Sequence, residues 1–197
     1  LADEDWLGSN LERIGPNGVG LCGACRRLGH CRLGLTSETL GPDGVVVTEL
    51  VCGPENEGGP DVAHGGWTAG AFDEMLGHVM ILRGELAVTG QLAVTYVKPV
   101  PVGRPLLGRT WLDHQEGHRR YVKGELLLLP SRTVLATASA VMVSRDPGHF
   151  ARHRAWLASV DAAQNGDAAQ NGDAAQNGDA AQNGDAAQNG DAAQGAQ

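Results

Sequence analysis

The chain is predicted to fold as an α+β domain in which one apolar helix sits among antiparallel strands. Three observations predict this. From Gly65 to Arg83 the residues Ala69, Phe72, Met75, Leu76, Val79, Met80 and Leu82 recur with helical period and cover much of the circumference, as in a helix surrounded by protein. Four strand-like runs follow it, Leu86 to Val100, Leu106 to Gln115, Arg119 to Leu129 and Thr133 to Ser144, parted by Pro99, Pro101 and Pro105, then Glu116-Gly117, then Pro130-Ser131. Two more precede it, Leu33 to Leu40 and Val45 to Cys52, joined by the turn Gly41-Pro42-Asp43-Gly44. A single helix covers only one face of such a sheet.

In chain order, Trp6, Leu7, Leu11 and Ile14 have helical spacing and predict a short N-terminal helix. Gly15 to Gly34 is rich in Gly, Cys and Arg and reads as irregular. Residues 1–35 thus form an N-terminal helix with a Cys/Gly-rich lead-in, and residues 36–146 the main domain. Gly53 to Ala63 is a Pro/Gly loop, and Gly84 is the helix stop. Residues 147–160 predict a short C-terminal helix. From 161 to 197 the chain repeats Asp-Ala-Ala-Gln-Asn-Gly without an aromatic or branched apolar side chain. Such a segment buries too little apolar surface to offset the entropy of ordering, so a disordered tail is expected.

The net charge of −8 includes six aspartates of that tail, leaving 17 acids against 15 bases in residues 1–160, or −2. That balance argues against broad nucleic-acid binding. No apolar run reaches membrane-spanning length and the acidic start lacks a secretory signal pattern, so a cytoplasmic protein without a membrane span is expected. Cys22-x-x-Cys25 with His30-Cys31 has a loose zinc-ligand spacing, with no second paired knuckle. The alternative is a set of small buried thiols kept reduced.

Chemistry points to the helix start. His64-Gly65-Gly66 opens the helix with two glycines, and a helix N-terminus offers backbone N–H groups to a developing negative charge. Gly66, Gly70, Asp73 and Gly77 share one face, bare apart from the Asp73 carboxylate, a candidate general base or nucleophile. Each helical glycine costs on the order of 1 kcal/mol against alanine, which suggests close approach of a backbone or a ligand. Tight helix–sheet packing is the competing reason. Seven residues separate Gly66 from Asp73, roughly 10 Å along a helix axis. Both cannot reach one carbonyl from the same helix, so the catalytic reading predicts a dimer with two sites at its interface.

His64-Gly65-Gly66 with Asp73, the following Glu74-Met75-Leu76-Gly77, and Thr95-Tyr96-Val97-Lys98-Pro99-Val100-Pro101 resemble the hotdog-fold acyl-CoA thioesterases of the PaaI-like branch, which includes thioesterase superfamily members 4 and 5. The resemblance covers about residues 20–145. It implies a curved antiparallel sheet wrapped around one central helix, and a homodimer or dimer of dimers. It also implies hydrolysis of acyl-CoA thioesters, of medium- or long-chain fatty acyl groups, with no cofactor and no metal. By position, Asp73 matches the catalytic carboxylate and the Gly66 N–H the oxyanion donor. Thr89 matches a hydroxyl that positions the water or the aspartate, and His64 belongs to the same catalytic set. Thr95, Val97 and Lys98 match the strand that contacts coenzyme A, and His118 with Arg119 a basic pair that meets its phosphates. His118 and Val97 stand where the family carries Arg and Lys, so Arg120 and Arg104 are expected to share that grip. Asn56 is the candidate for the amide that precedes the family's His-Gly-Gly.

Plainer roles exist for each of these residues. His64 can simply fix the helix entry, Thr89 can be a β-former, Lys98 a solvated strand end, and Arg119 and Arg120 an exposed pair. Trp67, Phe72 and Met75 can line an acyl tunnel or pack a core. Glu74 and His78 point off the Asp73 face, and His114, His149 and His153 show no partner spacing. A non-catalytic acyl-CoA-binding domain, or a hydratase pairing Asp73 with His78, stays open as an alternative.

Overall fold

The computed structural model describes residues 14, 15 and 17–164. The expected helix over 3–14, but for Ile14, and the repeat beyond residue 164 lie outside the described residues. Helix α1 (Gly23–Leu28) is followed by strands β1 (Leu35–Leu40) and β2 (Val45–Val51), a 3-10 turn (Pro54–Asn56), and a small ribbon of β3 (Glu57–Gly59) with β4 (Val62–Ala63). Helix α2 (Gly65–Ile81) precedes β5 (Ala87–Tyr96), β6 (Pro105–Glu116), β7 (Arg119–Leu128) and β8 (Thr133–Ser144). The six long strands form one antiparallel sheet in the order β1-β2-β6-β7-β8-β5, which leaves β1 and β5 at its edges.

Two loops of the sequence reading carry structure. α1 lies inside the stretch taken as irregular: its Ala-Cys-Arg-Arg-Leu residues tolerate helix, and Gly29 ends it in the left-handed conformation at φ 74°. The Pro/Gly loop after β2 contains the 3-10 turn and the β3–β4 ribbon, two residues of which are glycine.

Helix α2 lies against β5 to β8 because its apolar residues point into the sheet. Phe72, Met75, Leu76 and Val79 are fully buried with Val46, Leu50, Leu106, Val122 and Leu126. Burial of each such side chain contributes about 1.5–3 kcal/mol. The sheet admits the helix at Gly108, where a Cβ would collide with Met75 Sδ; at Gly124 a Cβ would collide with Thr110 Cγ2 of the neighbouring strand. Between them Thr110 donates its hydroxyl to the Met75 carbonyl at 3.2 Å, a buried bond from sheet to helix backbone.

A second unit begins at Gly148 and holds helix α3, residues 149–164. It runs four residues past the predicted end, through Asp161-Ala162-Ala163-Gln164, because Ala and Gln propagate a helix already nucleated. Trp156 and Leu157 are exposed on it. No helix among the described residues is long and apolar enough to cross a membrane.

Candidate active site

The first half of the site is the N-terminus of α2. His64 is its N-cap, and its Nδ1 accepts the Gly66 N–H at 2.9 Å. The His64 N–H donates to the Asn56 carbonyl at 2.8 Å, while the Asn56 side chain donates to Glu55. Asn56 therefore stands beside His64 through its backbone. On the other side the Tyr96 hydroxyl donates to the Gly65 carbonyl at 2.8 Å. Val97 and Lys98 continue from it, and with Gly65, Thr68, Ala63 and Val100 they line an open groove of about 310 Å³. Tyr96 and Val97 are each more than half exposed, 53% and 52%, so an apolar patch lies bare at the donor end of the helix.

The second half lies about two turns further along α2. Asp73 is exposed, and its Oδ1 accepts the Thr89 hydroxyl at 2.8 Å. A break in strand parity produces that bond. Thr89 pairs with Met142 and Gln91 with Val141, so Gly90 is an extra residue in β5. Before this bulge, Ala87 and Thr89 face α2; after it, Leu92, Val94 and Tyr96 do. Ala93 and Thr95 face the other way. Without the bulge, Thr89 would share the outer face with them. Gly90 is needed there, since a Cβ would lie 2.9 Å from Val143 Cγ2. Gly90→Ala is accordingly predicted to lower stability by about 1–3 kcal/mol, measured by urea unfolding.

A buried ionic relay braces this part of α2, and its long-range arm to Glu38 is not marked by any sequence spacing. His78, only 1% exposed, places Nδ1 2.7 Å from Glu38 Oε2 and Nε2 3.1 Å from Glu74 Oε2. Glu38 also accepts the Gly20 N–H at 3.0 Å and the Thr48 hydroxyl at 2.9 Å. Burial alone would push the imidazole pKa down, but the two carboxylates raise it to about 9. His78 is thus a cation at neutral pH, and both ring nitrogens face Glu38 and Glu74 rather than Asp73. An Asp73–His78 pair, which hydratase chemistry would need, does not form.

Other candidates fall elsewhere. Thr95 is on the outer sheet face with Trp111, Lys123 and Glu125, away from the Val97–Lys98 groove, because strand alternation sends neighbours to opposite faces. His118 and Arg119 are exposed at the β6–β7 turn. Through β8 their strand registers with the Thr89 end of β5: Arg119 pairs with Val143, and Val143 with Val88. Arg120 is held by Glu85 at 3.0 Å and by the Gly117 carbonyl, so it has less freedom to share a phosphate; Arg104 is exposed. His114, for which the spacing gave no partner, stacks on Tyr121 at 4.1 Å and contacts Asp113. Trp67, Phe72 and Met75 are core residues, each 4% exposed or less. Among the described residues no set of three or more His, Cys, Asp or Glu is placed to hold a metal ion.

Comparison with known proteins bears on the whole arrangement. Residues 61–134, from the β3–β4 turn to the start of β8, match the family model of the Thioesterase superfamily. The domain has the hotdog thioesterase fold. Over 91 residues, 46% of this chain, it is 30% identical to the acyl-coenzyme A thioesterase THEM4 of Mus musculus, and it spans 39% of that relative's length. A Streptococcus pneumoniae thioesterase protein solved with coenzyme A superposes with a TM-score of 0.51 at 21% identity, over 55% of this chain and 84% of that one. A Streptococcus mutans protein bound to acetyl CoA gives a TM-score of 0.50 at 23% identity, over 57% and 87%.

Proposed function

We propose that the hotdog domain hydrolyses acyl-CoA thioesters at two equivalent sites, each completed by two copies of the chain. The observation that carries the proposal is the separation of the two halves. Gly66 and Asp73 lie on one helix roughly 10 Å apart along its axis, beyond the reach of one thioester carbonyl. β5 is an edge strand, so a second copy can pair with it antiparallel across a two-fold axis. That pairing sets the Thr89 end of one β5 beside the Tyr96 end of the other. Asp73, Thr89, His118 and Arg119 of one protomer then meet His64, Gly66, Val97 and Lys98 of its partner.

In this arrangement the Asp73 carboxylate takes a proton from water, or attacks the thioester carbon itself, and the Thr89 hydroxyl fixes its orientation. The Gly66 N–H stabilises the oxyanion at the positive end of the α2 dipole. His64 holds that N–H in the free protein, so the substrate carbonyl must take over as acceptor. Lys98 and Arg119 supply cations for the coenzyme A phosphates, with the exposed His118 ring beside them as a hydrogen-bonding group. With the core filled, the acyl chain runs along the seam between protomers, where Tyr96 and Val97 are bare, and medium- or long-chain fatty acyl groups gain most from it.

The test is thiol release across short-, medium- and long-chain and aryl acyl-CoAs. The proposal predicts hydrolysis that rises with chain length; binding of the same ligands by calorimetry with no thiol release would replace the enzyme by an acyl-CoA-binding domain. Thr89→Val, which keeps shape and removes the hydroxyl, is predicted to lower kcat about tenfold, the equivalent of one hydrogen bond of about 1.4 kcal/mol. Unchanged kcat would remove Thr89 from the mechanism.

A further inference from the structure

Cys22 and Cys25 have no part in this mechanism. They lie three residues apart across the first turn of α1, Cys22 as its N-cap and Cys25 inside it. That spacing brings side chains within about 5–6 Å at Cβ, and disulfides span Cα separations of about 4.4–6.8 Å. The two side chains are close enough that each shifts the other's protonation. Cys25 Sγ also accepts the Arg32 N–H at 3.4 Å, and the Arg32 guanidinium lies beside it. Burial raises the Cys25 thiol, yet the Arg32 N–H, the Cys22 thiol and the Arg32 side chain together hold it below the ordinary thiol value; Cys22 is raised, first by burial. Exposure differs in the complementary sense: Cys22 is half-buried, and Cys25 is 3% exposed.

We infer that Cys22 and Cys25 are a thiol–disulfide exchange site, with Cys22 the sulfur that meets a low-molecular-weight disulfide and Cys25 the sulfur that resolves it. Cys22, the more exposed thiol, loses its proton to water, and its thiolate attacks one sulfur of a small disulfide RSSR, forming Cys22–S–S–R and expelling RS⁻. Cys25 gives up its proton to RS⁻, attacks the Cys22 sulfur and expels the second RS⁻, which takes a proton from water's pool, the one first lost by Cys22. In sum, the dithiol and RSSR become one protein disulfide and two RSH. Cys31 and Cys52, at 7% and 0% exposure, stay out of reach of RSSR.

Tryptic cleavage separates the partners cleanly: residues 14–26 carry Cys22 and Cys25, and residues 28–32 carry Cys31. The full chain is reduced, equilibrated in buffers of reduced and oxidised glutathione, acid-quenched, alkylated and mapped by mass spectrometry. The inference predicts a disulfide inside peptide 14–26, with Cys31 and Cys52 alkylated only after unfolding. In Cys25→Ser the resolving sulfur is gone, so a glutathione adduct accumulates on Cys22 to become the main species. In Cys22→Ser neither adduct nor disulfide forms at Cys25. A far-ultraviolet spectrum unchanged from the parent checks that each variant folds. A disulfide between Cys25 and Cys31, or free alkylation of both Cys22 and Cys25 throughout the glutathione series, would overturn it.

Discussion

Asp73→Asn is expected to lower kcat for acyl-CoA hydrolysis by about 10²–10⁴-fold, the range for loss of a positioned acid or base. Asparagine has the shape of the carboxylate and its Oδ1 can still accept the Thr89 hydroxyl, now 2.8 Å away. What it loses is the charge that abstracts a proton or attacks carbon. Asp73 is exposed and asparagine keeps its shape, so the variant should unfold at the same urea concentration as the parent. Thiol release under saturating substrate measures the effect. A kcat within a few-fold of the parent would remove the carboxylate from the chemistry.

The largest predicted effect on stability is at Glu38. Glu38→Ala leaves the His78 cation facing only the half-buried Glu74 and orphans the Gly20 N–H and the Thr48 hydroxyl. Breaking a buried ion pair of this kind costs about 3–5 kcal/mol. Gly20 shows how tightly the segment lies on the ring, for a Cβ there would come 2.8 Å from His78 Cδ2. The relay also sets a pH window. The His78 pKa is raised on folding, from an unfolded 6.5 to about 9, so its contribution is fully present below pH 6.5 and is lost as pH rises through 9. That contribution is on the order of 3 kcal/mol. Urea unfolding between pH 6 and pH 10 should show the loss in the parent, and His78→Leu should flatten it. An equal slope in both proteins would assign the pH dependence to other groups.

How much was legible in the sequence follows from what each feature depends on. The helix at Gly65 and the four later strands are fixed by local periodicity, and β8 has the bounds its alternation predicts, Thr133–Ser144. The site residues were reached through motif position, and two pairs of them are in contact as the motif implied: Thr89 with Asp73, and His64 with Gly66. The Gly90 bulge was not legible, because one extra residue in a strand leaves no trace in composition and only the partner register reveals it. In the relay, Glu74 and His78 are an i,i+4 pair on one helix, whereas the Glu38–His78 arm joins residues 40 apart and is set by tertiary packing. Thr95 illustrates the converse: adjacency to Tyr96 in a motif placed it at the ligand, while strand alternation turns it to the opposite face.

The claim that each site is shared between two chains has a direct test in complementation. Asp73→Asn lacks the base. Gly66→Pro lacks the oxyanion donor, and it is tolerable at the second residue of α2 because that N–H serves His64 rather than a helical carbonyl. Each variant alone is expected to be inactive. Refolded together in equal amounts, half of the dimers carry one chain of each kind, and each of these holds one intact site, so about a quarter of parental activity should return. Activity in the mixture no greater than the mean of the two separate variants would contradict a site built from two protomers.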